Sequence, residues 1–110
     1  FLAENGHLTR LTPDRAISLD DLVQELAGTQ TPQLVVGDGA QLCYDALTAA
    51  GIPAVLAPPN LRMQSAWGVA RAALELVRSG GLVSGEELAP VYCRLSQAER
   101  ERLEREAKSK

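Results

Sequence analysis

A chain of 110 residues, 45% hydrophobic and 23% charged, is long enough for one modest core and too short for several. Aromatic residues are only 4% of it (Phe1, Tyr44, Trp67 and Tyr92), so that core has to be built from Leu, Val, Ile and Ala. With 11 basic against 14 acidic residues the net charge is −3, which excludes a broad phosphate-binding face and leaves any contact with tRNA or DNA to another subunit.

Phe1 enters directly into an extended run, which reads as the start of a fragment. Asn5-Gly6, set between "FLAE" and "HLTRL", predicts a two-residue hairpin turn, because both residues tolerate positive φ. His7, the only histidine, opens the second strand with no Cys, His or carboxylate cluster beside it, and reads as an ordinary strand residue. "SLDDLVQELAG" predicts a helix capped by Ser18, with Asp21 in the capping-box position and Gly28 as its stop. Leu19, Leu22, Val23 and Leu26 form its apolar face.

"PQLVVGDGAQLCYDALTAAG" predicts a strand from Leu34 to Val36 and a Gly-x-Gly turn. A helix follows, with Leu42, Ala46, Leu47 and Ala50 inward and Gly51 at its end. "IPAVLAPP" supplies another short strand. A longer helix then runs from about Asn60 or Ser65 to Ser79, before Gly80-Gly81. It carries Trp67, Ala70, Leu74 and Val77 in one stripe and Ala66, Val69, Ala73 and Leu76 in a second. So wide an apolar arc predicts cover from a second lobe as well as from the sheet, and association wherever the second stripe is left bare.

The ending, "ELAPVYCRLSQAERERLE", predicts an apolar extended segment tucked into the body, then a charged helical tail over 96–110. Ser96 and Glu99 have capping-box spacing. Arg100 with Glu104, Glu101 with Arg105 and Arg102 with Glu106 stand four apart, each pair worth about 0.2–0.5 kcal/mol. No repeat or linker divides the chain, so 1–110 reads as a single lobe. Its element order predicts an α/β fold with one mixed sheet, an antiparallel hairpin followed by parallel strands, and flanking helices.

No residue cluster has the composition and spacing of a catalytic or metal centre. The one candidate for a cofactor is the turn Gly37, Asp38 and Gly39, where glycines after a strand let a nucleotide phosphate approach a helix N-terminus. The dinucleotide fingerprint is incomplete, since Leu42 stands where its third glycine belongs. The other reading is a tight strand-to-helix turn capped by Asp38 or Gly39. Asp20, Asp21 and Glu25 suit a helix start. Ser65, Ser84 and Ser96 have no nucleophile-elbow setting; a lone Arg62 or Arg94 could grip a phosphate, but each reads as a surface residue. Cys43 and Cys93 match no metal or redox spacing and read as reduced thiols. With no basic leader and no apolar run of roughly 18 residues, a soluble cytoplasmic protein is expected.

Pro90, Tyr92, Arg94, Ala98 and Glu99 carry a likeness. "ELAPVYCRLSQAE" resembles the C-terminal signature of the TsaB (YeaZ) family, with support from "VVGDGA" at 35–40 and "LVRSGG" at the end of the long helix. The resemblance implies the second lobe of a two-lobed protein of the ribonuclease H-like, actin-like ATPase fold, without its first lobe. It also implies a non-catalytic scaffold in the formation of threonylcarbamoyladenosine next to the tRNA anticodon. The implied partners are a TsaD-like catalytic subunit and a TsaE-like ATPase; tRNA is met only through the complex, and no cofactor or membrane is involved. The wider family is labelled glycoprotease-like, a name for which this sequence has no protease machinery. Two alternatives stand beside it: a nucleotide-binding actin-like ATPase using Gly37 to Gly39, and a self-associating homodimer module built on the helix around Trp67 and Leu74.

Overall fold

The computed structural model describes residues 1–108 and shows a mixed α/β chain. Ser109 and Lys110, the end of the expected tail, lie outside the described residues. Contacts divide the chain into two units, one of Phe1–Ala16 with the residues from Leu88 onward, the other of Ile17–Glu87.

In the first unit, β1 (Leu2–Glu4) and β2 (His7–Thr9) pair antiparallel, with Leu2 opposite Thr9 and Glu4 opposite His7. The turn is the expected one: Asn5 and Gly6 take φ of 51° and 77°, the pair of left-handed residues that a type I′ hairpin requires. Arg10 anchors the exit from β2, its guanidinium 2.7 Å from Asp14 and 4.7 Å from the centre of the Phe1 ring.

The second unit holds the core. Helix α1 (Leu19–Glu25) starts where its box predicts: Ser18 Oγ accepts the Asp21 N–H at 3.1 Å and donates to the Asp21 carboxylate at 2.6 Å. Strands β3 (Gln33–Val35) and β4 (Ala54–Leu56) run parallel on either side of α2 (Ala40–Ala49) in the chain, Leu34 facing Val55 across the ladder. Val35, Ala40, Leu47 and Ile52 form the buried cluster, with Val23, Leu26, Cys43, Ala54 and Leu56 packed against it. Leu47, 2% exposed, is its largest side chain.

Gly51 is what lets α2 turn back into that cluster. At φ 73° its N–H donates to the Thr48 carbonyl at 3.0 Å, and the Ile52 N–H donates to the Leu47 carbonyl at 2.9 Å. This is the Schellman arrangement, and the apolar contact that accompanies it is the Leu47 and Ile52 pair of the core.

Four expectations are corrected. The single mixed sheet is two separate two-stranded sheets, because local pattern specifies each strand and its nearest partner but not a pairing between distant ones. The first parallel strand lies one residue earlier than Leu34 to Val36. Of the inward residues expected on α2, Leu47 is buried and Ala46 half-buried, but Leu42 is 69% exposed and Ala50 is also exposed; the helix begins at Ala40, so the i, i+3, i+7 row of Ala40, Cys43 and Leu47 runs from there. Finally, the segment from Leu88 to Leu95 is neither strand nor tucked in, with Tyr92 85% exposed.

Pro90 explains that last difference. Ser84 and Glu87 already form a reciprocal box, the Ser84 N–H donating to the Glu87 carboxylate at 2.9 Å and the Glu87 N–H to Ser84 Oγ at 3.3 Å. A helix begun there meets Pro90 within its next turn, which disfavours helical geometry at Ala89 and supplies no N–H. The chain leaves as open backbone.

After the short helix α3 (Pro59–Arg62), α4 (Ala66–Arg78) is capped by Ser65, whose Oγ accepts the Gly68 N–H at 3.1 Å. Both of its apolar stripes are exposed, so the expected cover from the sheet is not made among the described residues.

Helix α5 (Gln97–Lys108) is a solvated helix held at its start. Ser96 N–H and Oγ donate to the Glu99 carboxylate at 3.0 and 2.7 Å, and the Glu99 N–H returns to Ser96 Oγ at 3.3 Å. Of the expected ion pairs, Arg102 and Glu106 meet at 3.7 Å. Glu101 accepts instead from Gln97 at 2.8 Å, and Arg105 Nε donates to the Glu101 carbonyl at 3.3 Å.

The Ser96 hydroxyl, then its N–H, hold the Glu99 carboxyl below the usual carboxylate range. A lowered folded pKa means that the cap is fully present above the ordinary glutamate value and is lost as pH falls through the lowered one. Acid titration followed by far-ultraviolet circular dichroism is expected to show helix loss in that lower range. Ser96→Ala is expected to remove that acid-sensitive part, leaving less helix at neutral pH.

Candidate functional site

Two places concentrate the residues singled out by sequence. The first is the turn from β3 into α2, at the carboxyl ends of both parallel strands, where open α/β sheets place their ligands. Gly37 takes φ 99°, a conformation that side chains rarely adopt, and its N–H donates to the Arg62 carbonyl at 2.7 Å. Arg62 Nε in turn donates to the Ala57 carbonyl at 3.0 Å, so this half-buried arginine ties the end of β4 to the end of β3. Asp38 Oδ1 accepts the Gly39 N–H at 3.0 Å, and the Ala40 N–H donates to the Gly37 carbonyl at 3.2 Å.

These bonds engage, inside the protein, donors that a phosphate would need: the N–H groups of Gly37, Gly39 and Ala40, and Nε of Arg62. Asp38 adds a carboxylate at the positive end of the α2 dipole, where it is stabilising and where an incoming polyanion would meet its charge. The arrangement makes a tight connection between strand and helix.

The two glycines differ in what they permit. A Cβ on either meets nothing within 4 Å, so only backbone strain separates them. Gly37→Ala is expected to cost about 1–3 kcal/mol. Gly39→Ala, at φ −82°, is expected to change stability by about 0.5 kcal/mol at most. Urea denaturation of both variants checks this, and equal losses would contradict the assigned backbone.

The second place is the segment Pro90 to Glu99. Tyr92, Cys93, Arg94, Leu95, Ser96 and Glu99 line a shallow open recess at the start of α5. Of the signature residues, the fold gathers Tyr92, Arg94 and Glu99 there, while Pro90 and Ala98 lie outside its lining. The Glu99 carboxylate is held by Ser96, whereas the Tyr92 and Arg94 side chains are exposed.

The other candidates have structural partners. Ser65, Ser84 and Ser96 each accept a backbone N–H three residues on and act as caps. The reciprocal box at Ser84 and Glu87 was missed from sequence, although S-x-x-E spacing was there to find it. Burial pushes the Cys43 thiol up, the opposite of what a reactive thiolate needs, and Cys93 is exposed. His7 is an exposed residue of β2. Among the described residues no group of three or more His, Cys, Asp or Glu is placed to hold a metal ion, and no helix is long and apolar enough to cross a membrane.

Comparison with protein-family models, with curated proteins and with solved structures finds no match to this chain.

Proposed function

We propose that this chain is the C-terminal lobe of a TsaB-like protein, a non-catalytic scaffold that pairs with a TsaD-like subunit and a TsaE-like ATPase in forming threonylcarbamoyladenosine beside the tRNA anticodon. The observation that carries the reading is the run from Pro90 through Tyr92 and Arg94 to Ala98 and Glu99, which resembles the family's C-terminal signature.

Surface chemistry supports a role in assembly. Tyr and Arg are the side chains most often found at the energetic centre of protein interfaces, and here both stand exposed on open backbone. The β3–β4 ladder is apolar on both faces: Val35 and Leu56 face α2, whereas Leu34 and Val55 are exposed. Parallel strands with two apolar faces are a pattern of sheets covered on both sides. An actin-like lobe, in which such strands belong to a larger sheet under helices, accounts for these faces and for the bare stripes of α4. Under this reading cytoplasmic tRNA is reached through the assembled complex, in keeping with the net charge of −3.

Depletion of the full-length protein that carries this chain, in its own host, is expected to lower threonylcarbamoyladenosine in hydrolysed tRNA, measured by mass spectrometry, and re-expression to restore it. An unchanged level would overturn the proposal.

A further inference from the structure

No further inference is drawn: the strongest candidate, the uncovered apolar face of α4 around Trp67, Ala70 and Val77, carries nothing because nothing in the structure shows what covers it.

Discussion

Leu47→Ala is expected to unfold the Ile17–Glu87 unit or bring it to the edge of unfolding. Leu47 is the largest fully buried side chain, and its neighbours Val35 in β3, Ala40 in α2 and Ile52 in the turn after α2 are each held by backbone hydrogen bonds. A truncation of this kind costs about 2–5 kcal/mol, from the lost transfer of the side chain and from the cavity left behind. A unit of this size has little stability to lose. With a urea dependence of about 1 kcal/mol per molar, the midpoint falls by roughly 2 M or more, or the cooperative transition disappears.

Leu42→Ala is the matched control: the same chemistry, on the same helix, at an exposed position, expected to change stability by about 0.5 kcal/mol or less. If Leu42 proves the costlier truncation, the inward face of α2 is the one expected from sequence, and the core described above is wrong.

Tyr92→Ala and Arg94→Ala are expected to separate binding from folding. Both side chains are exposed, so either truncation leaves the stability of the chain within about 0.5 kcal/mol. If the signature is the partner-facing element of a TsaB-like scaffold, each lowers affinity for the TsaD-like subunit by about 30-fold, or about 2 kcal/mol, the loss seen at an interface hot spot. Calorimetric titration with the full-length protein checks the affinity, and thermal denaturation of the same samples checks the fold. Unchanged affinity with an intact fold would remove the signature from that interface. Lower stability with unchanged affinity would assign Tyr92 and Arg94 to contacts within the longer protein.

Much of the local structure was legible because its causes are local. The hairpin follows from Asn5-Gly6, the helix starts from Ser18, Ser65 and Ser96, and the α2 stop from Gly51; in each case hydrogen bonds span no more than a few residues. The candidate turn at Gly37 to Gly39 was legible as a place and not as a set of bonds. That the Gly37 N–H meets the Arg62 carbonyl depends on how the loop after β4 returns, at a sequence separation of 25 (62 − 37) that no periodicity describes.

The inward register of α2 was misread for a related reason. Leu42 looked like a core residue because it is large and apolar, yet a helix face is chosen by what lies opposite it, and against the β3–β4 ladder it is Ala40, absent from the expected face, that is buried, at 1% exposure. The ending shows the converse. Val91 and Tyr92 have strand-forming side chains, but a strand needs a neighbouring edge, and Pro90 with the aborted turn at Ser84 to Glu87 leaves the segment without one.

By itself, the sequence determined the kinds of element, most of their ends and the acidic balance. Tertiary structure alone decided that the strands form two sheets, that Ala40, Leu47 and Ile52 make the core, and that α4 and Tyr92 stay exposed. The physical reason is one of range: caps, turns and periodicity act over a few residues, whereas burial depends on which distant surfaces meet.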